Sequence, residues 1–317
     1  MSQDFRELIS IVIPTYKRNE TLKRAIESAI AQTYSPIEII VVDDNAEFPD
    51  VRNLNELLIK KYCDYNIRLI ENKKNLGGGL SRNVGVENAK GKYICFLDDD
   101  DEYLPEKVEK QYLTYINANN DNIAMVYCYA NMIRVDGTTY MHHKDLEGVL
   151  LFENAINCIA ATSWWFCPKE KLISVGGFEN ITSRQDASLL MKFFLKGYEV
   201  IRVPEILLNY FWHDANSGIS KVSLKTLTAE KQYKDLFMEN CSKVPETLRN
   251  KIEYQFLYRI AHQCILLKER KQAENVLHKM LKLRFTDKRN LRIVFGIIFN
   301  NIYCLISKRK NRGKLGT

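Results

Sequence analysis

Tyr93-Ile94-Cys95-Phe96-Leu97-Asp98-Asp99-Asp100-Asp101 joins an unbroken apolar run to four consecutive carboxylates. A short apolar run of this kind suits a strand buried on both faces, as in a parallel sheet covered by helices. Four like charges crowded at its carboxyl end repel one another unless a cation lies among them. Alternation along an extended chain sets Asp98 and Asp100 on one side and Asp99 on the other, so two carboxylates can converge on a hard divalent ion. The plainer reading is a solvated acidic loop in which Asp101 caps a helix opened by Pro105. The surrounding sequence decides between them.

Upstream, short apolar runs alternate with amphipathic segments, the pattern of strands and helices layered on a mostly parallel sheet. Strands are predicted at 9–13, 37–42 and 67–70, and helices at 21–32 (inner face Leu22, Ile26 and Ile30), 51–62 (Leu54, Leu57 and Leu58) and 80–89, the last behind Gly77-Gly78-Gly79. Open α/β sheets bind ligands at the carboxyl ends of their strands. Pro14-Thr15-Tyr16, Asp43-Asp44-Asn45 and the four aspartates therefore share one rim. Downstream come a helix at 105–117, strands at 125–129, 132–135 and 138–141 with a hairpin at Asp136-Gly137, a strand at 163–166, helices at 169–175 and 186–196, and strands at 200–203 and 206–212. From about residue 224 the pattern is helical throughout. The expected architecture is an α/β domain over 1–222, with a nucleotide-binding half to residue 120 and an acceptor half from 121, followed by an all-helical extension over 223–317.

A chain of 317 residues with 46% hydrophobic content can bury a substantial core. Its eight cysteines are scattered without a CxxC pair, which fits packed, reduced thiols and a cytoplasmic setting. Residues 1–8 are polar and charged and contain no secretory apolar segment. The net charge of +7 gathers at Lys308, Arg309, Lys310, Arg312 and Lys314, but no basic stretch is interleaved with stacking aromatics, which argues against a nucleic-acid partner. The glycine run is not a dinucleotide fingerprint either, because position 82 is arginine and the run follows the third strand rather than the first.

Taken together, Ile11-Val12-Ile13-Pro14-Thr15-Tyr16-Lys17-Arg18, Ile40-Val41-Val42-Asp43-Asp44, Asn75-Leu76-Gly77 with Ser81-Arg82-Asn83, and Phe96-Leu97-Asp98-Asp99-Asp100-Asp101 with Pro105 resemble the family-2 glycosyltransferases over roughly residues 9–220. The resemblance implies a GT-A fold, a nucleotide-diphosphate sugar donor (UDP-sugar first), a Mn or Mg ion, and inversion at the anomeric carbon. It implies Asp100 as metal ligand, Asp98 on the ribose or sharing the metal, Asp99 near the donor sugar, and Asp43 on the uracil ring. Pro14, Thr15 and Tyr16 would lie along the base, with Arg18, Arg82 and Asn75 near the phosphates. Inverting transfer also needs a base for the acceptor hydroxyl. Asp186 stands where the family carries its Glu-Asp pair, and here Gln185-Asp186 replaces it. His213, ahead of Asn216-Ser217-Gly218, resembles the late motif that closes over metal and diphosphate. Trp164 and Trp165 fall on the acceptor side, where one ring is expected to stack on a sugar.

Near the end, Ile293-Val294-Phe295-Gly296-Ile297-Ile298-Phe299 and Ile302-Tyr303-Cys304-Leu305-Ile306 are bracketed by basic residues. Asn300 and Asn301 interrupt them, and the stretch falls short of the roughly 20 apolar residues a span needs. An in-plane anchor on anionic lipid and a core or homo-oligomer helix with a solvated basic tail both remain open. The expected activity is metal-dependent transfer of a hexose or N-acetylhexosamine to a glycan or lipid-linked oligosaccharide in capsule or surface polysaccharide synthesis, at the inner face of the cell membrane. Two alternatives stand beside it. One is a sugar-nucleotidyltransferase, whose glycine- and lysine-containing signature is missing where Pro14-Thr15-Tyr16 stands. The other is a non-catalytic nucleotide-sugar or glycan-binding module, for which Gln185 leaves room.

Overall fold

The computed structural model describes residues 6–212, 222–304 and 306. Two compact units are present, one of Met1–Asn180 with Gln185–Asp214, the other of Ile181–Arg184 with Ala215–Thr317. The first is built on a nine-stranded mixed sheet. Strands β1 (Ile9–Thr15), β2 (Ile37–Asp43), β3 (Ile67–Glu71) and β4 (Tyr93–Phe96) are parallel and lie side by side in the order β3-β2-β1-β4. All residues of β1 and β4 are buried, which is why they read as unbroken apolar runs rather than alternating ones.

Helices α1 (Glu20–Ile30), α2 (Pro49–Lys60) and α3 (Gly78–Asn88) connect these strands. In α2 the expected inner face holds only at Leu58: Leu54 and Leu57 are 51% and 56% exposed, and Asn55 is buried beside Leu58. Asn55 turns inward, where its Nδ2 donates at 2.7 Å to Oδ2 of the buried Asp43 carboxylate, whose Oδ1 is served by Arg52 and Asn45 N; without Asn55 that second oxygen would lose this bond. Against β1, α3 packs through Gly85, where an added Cβ would lie 2.2 Å from Val12 Cγ1. Gly85→Ala should therefore push helix from sheet and lower stability by about 1–3 kcal/mol, read as a fall in denaturant midpoint. An unchanged midpoint would show that the contact relaxes without cost.

Beyond β4 the chain continues through β5 (Glu102–Tyr103), α4 (Lys107–Ala118), β6 (Ile123–Arg134), β7 (Thr139–His142), α5 (Leu151–Ile156), β8 (Phe166–Pro168), α6 (Lys169–Ser174), α7 (Gln185–Leu195) and β9 (Glu199–Trp212). The sheet extends from β4 as β8-β6-β9-β5, with β7 paired to β6 across the hairpin at Gly137, whose φ is +80°. Four expectations change. The strands placed at 125–129 and 132–135 are one strand, β6. The strand placed at 163–166 is a 3₁₀ turn at Thr162–Trp164, and β8 starts only at Phe166. The two strands placed at 200–203 and 206–212 are one long strand, whose register with β6 slips between Cys128↔Val203 and Tyr129↔Ile206. Pro204 sits in that slip, where its missing N–H takes no ladder bond. Finally, Asp101 caps no helix: α4 begins at Lys107, and the two-residue β5 stands between them.

The second unit is helical, with α8 (Leu224–Asn240), α9 (Glu246–Leu266), α10 (Arg270–Leu283) and α11 (Arg289–Ile298). Ser223 and Thr226 close a reciprocal capping box at the start of α8. Leu257, Ile260, Cys264, Met280 and Ile293 form its core. Buried Glu230 is held between Arg184 at 3.0 Å and Arg259 at 2.6 Å, so its charge is compensated from both sides. Among the described residues no helix is long and apolar enough to cross a membrane.

Candidate active site

The acidic quartet is a turn, closed by Asp101 N donating to Asp98 O at 3.0 Å, and not a continuation of β4. Turning brings Asp98 and Asp100 together, as alternation predicted, but it adds Asp101: one oxygen from each lies within 4.8 Å of the others. The turn is braced by the 3₁₀ segment, where Ser163 Oγ accepts from Asp98 N at 3.0 Å and donates to Asp101 Oδ2 at 2.5 Å. Asp101 Oδ1 accepts from Phe211 N at 3.2 Å, so both of its oxygens are engaged. Burial pushes the Asp101 carboxyl well up, and the neighbouring Asp98 charge adds to the shift. Asp99 faces away, accepting from Thr15 Oγ1 at 2.8 Å and Tyr16 N at 3.3 Å, which ties the end of β1 to the turn. Burial also raises the Asp99 carboxyl, against the opposing pull of Arg18.

Two arginines neutralise this corner. Arg18 Nη1 pairs with Asp100 and lies 3.3 Å from Asp99. Arg82, buried on α3, pairs with Asp98 through Nη2 and donates from Nη1 to Gln185 Oε1 at 3.1 Å. One guanidinium thus links the acidic turn to the first residue of α7. Close approach of α3 and α7 explains the glycine run, since a Cβ on Gly79 would lie 3.2 Å from Gln185 Cδ and from Glu179 O. Gly77 has open space around it and takes a φ of +79°, a conformation that favours glycine. Asp44 holds the entrance to the run, accepting from Leu76 N and Gly77 N at 2.8 Å each. Asn75 is exposed just before it.

Three hard oxygen donors in one turn suit Mg or Mn. All three carboxylates are engaged by the protein, Asp98 by Arg82 and Thr162, Asp100 by Arg18, and Asp101 by Ser163 and Phe211 N; an ion held by Asp98 and Asp100 would take the place of the two arginines there, whereas Asp101 is tied into the turn itself. His213 lies outside the described residues.

Asp186, second residue of α7, is half-buried and accepts from Ala187 N at 2.7 Å. Its neighbours show in their titration. Burial and then the Asp186 charge push the Cys158 thiol well up. Lys144, whose Nζ donates to Cys158 O, is lowered by burial and pulled back up by Cys158 and Asp186. Tyr210 on β9 has its phenol raised by burial and then by Asp101, Asp98 and Asp186, with Arg82 opposing. The Tyr210 side chain therefore stands among the acidic turn, Arg82 and Asp186.

Several expected roles change on contact with the structure. Trp164 and Trp165 are 3% and 0% exposed, so neither ring has a face open to a sugar. Trp165 stacks on Phe178 at 6.1 Å and 8°, and Trp164 meets His142 and Tyr210 edge-on. A short 3₁₀ turn, unlike a strand, turns both rings inward. Asp43 is also wholly covered: Oδ1 accepts from Asn45 N at 2.8 Å and from Arg52, and Oδ2 from Asn55, so the uracil contact is not open in this arrangement. Pro14 is buried within β1, while Tyr16 is partly exposed and packs edge-on to Phe48 at 5.9 Å. Lys17 Nζ lies 4.1 Å from the Phe48 ring centre. Sequence reading missed Phe48, Ser163, Tyr210 and Lys144. Only Tyr210 carried a signal, as part of the aromatic run ahead of His213.

A family model described as Glycosyl transferase family 2 matches residues 10–192. An uncharacterized glycosyltransferase of Haemophilus influenzae is 28% identical over 272 residues, covering 84% of this chain and 88% of that protein. The amylovoran biosynthesis glycosyltransferase AmsB of Erwinia amylovora is 26% identical over 261 residues, covering 77% and 85%. Among solved structures, S. aureus TarS 1-349 in complex with UDP-GlcNAc superposes with a TM-score of 0.66 at 16% identity, covering 96% of this chain and 92% of that one.

Proposed function

The chain belongs to glycosyl transferase family 2 and has the GT-A fold, and on that premise we propose that it is an inverting, metal-dependent enzyme that transfers a sugar from a UDP-sugar to a growing surface glycan. The observation that supports this reading is Arg82, which pairs with Asp98 in the acidic turn and donates to Gln185, the residue before Asp186. Asp98 and Asp100 would hold a divalent ion, which when bound would neutralise charge on the departing nucleoside diphosphate.

The chain's own groups do the rest. Tyr16 and Phe48 offer partly open rings at the rim for the nucleobase. Arg18 and Arg82 shield the turn through side chains that can swing to the diphosphate, which accepts planar, bidentate donation. Asp186 removes the proton of the acceptor hydroxyl as that oxygen attacks, and Gln185 orients it through α7. A UDP-sugar is favoured because the TarS neighbour holds UDP-GlcNAc, and a hexosamine is the first sugar to test. AmsB, as an amylovoran biosynthesis enzyme, favours an extracellular polysaccharide or its lipid-linked precursor as acceptor, with transfer on the cytoplasmic face.

A panel of UDP- and GDP-sugars incubated with manganese checks the reading by nucleotide release. Release from one or a few UDP-sugars is expected. Release from none would favour the binding-module alternative, and pyrophosphate formation from a nucleoside triphosphate with a sugar phosphate would favour the nucleotidyltransferase.

A further inference from the structure

Helix α11 and the described residues after it carry two sets of apolar side chains, and among the described residues only one set is buried. Ile293, Gly296 and Tyr303 are buried in the helical core. Leu291, Phe295, Ile298, Phe299, Ile302 and Ile306 are 71%, 38%, 59%, 49%, 50% and 44% exposed. Positions 291, 295 and 298 recur at helical spacing along α11 and form one stripe; the helix breaks at Phe299, and Phe299, Ile302 and Ile306 continue the exposed apolar residues beyond it. Beside it, a mainly apolar hollow of about 140 Å³ between α10 and α11 is lined by Leu277, Leu281, Val294, Ile297 and Ile298, with Glu274 and His278 on the α10 side.

The charge around the stripe selects its partner. From Lys279 onward the sequence holds eleven basic residues and one acid, Asp287, while the whole chain is only +7, so the remainder is net negative. Lys279, Lys282, Arg284, Lys288 and Arg292 are exposed next to the stripe, and Asp287 is already paired with Arg289 at 2.8 Å. A second copy would bring a like-charged rim against this one. An anionic lipid surface instead satisfies both features, taking the apolar side chains into the acyl boundary and the lysines and arginines among the headgroups.

We propose that the α11 face is a docking surface for an anionic bilayer on which the helix lies in the interface plane. The inference stands on the helical unit alone and does not depend on the donor chemistry. Co-sedimentation of the full chain with phosphatidylcholine vesicles, with and without phosphatidylglycerol, tests it. Binding is expected only with phosphatidylglycerol and should weaken as salt is raised. A Phe295→Ser, Ile298→Ser, Ile302→Ser variant should partition at least about tenfold less while melting at the wild-type temperature, because these side chains contribute little to the core. If that variant melts early, Lys282→Glu with Lys288→Glu, both exposed, should show the same loss. No binding by wild type, or equal binding by wild type and a well-folded variant, overturns the proposal. So does a lipid-free dimer in equilibrium sedimentation that the serine variant abolishes.

Discussion

Asp186→Asn is expected to leave manganese-dependent UDP affinity unchanged and to lower transfer to the acceptor by about 10²- to 10⁴-fold, the usual contribution of a positioned general base. The substitution discriminates because asparagine keeps what a merely structural aspartate would provide. Its Oδ1 can still accept from Ala187 N, and asparagine starts a helix as well as aspartate does. What is lost is the negative charge and, with it, the capacity to take a proton. Thermal melting should therefore be unchanged, and equal transfer by the two proteins would remove Asp186 from the mechanism. A fall in donor affinity would instead place it on the nucleotide side of the cleft.

Asp100→Ala is expected to abolish the enhancement of nucleotide binding by manganese and to cost about 10²- to 10³-fold in kcat/KM, as removal of one electrostatic anchor at a departing group does. The informative quantity is the ratio of UDP affinities with and without the ion. For wild type it should be large, and for the variant close to one. Metal-independent affinity should persist, because Arg18, freed from its pairing with Asp100, becomes available to the diphosphate. The turn itself should survive, since Arg24 donates to the Asp100 carbonyl at 2.5 Å and Ser163 holds its two ends. An unchanged manganese response would mean that the ion sits elsewhere, and the role of the acidic turn would have to be rethought.

The parallel half was legible because its physics is local. A strand covered on both faces must be apolar throughout, and the strand ends must carry polar residues, so the runs at 9–13, 37–42 and 93–97 announced strands that extend over Ile9–Thr15, Ile37–Asp43 and Tyr93–Phe96, and fixed the rim. The same local signal failed where a side chain answers to a distant partner. Asn55 points inward and donates to Asp43, and Leu54 and Leu57 point outward, although apolar spacing alone favours them for the core. Thr162–Trp164 resembled a strand by composition, yet it is a turn whose serine binds Asp98 and Asp101, more than sixty residues away.

By itself the sequence determined the layered α/β domain, the helical extension, the family, and the acidic cluster at the end of the fourth strand. Those follow from periodicity and from motifs whose meaning is carried by neighbours along the chain. Only the tertiary structure decided which carboxylates converge, that Asp101 joins Asp98 and Asp100, that Arg82 links this corner to Gln185, and that both tryptophans are buried. Each of these depends on side chains brought together by folding from far-apart segments, and hydrogen-bond satisfaction across such contacts leaves no periodic trace in the chain.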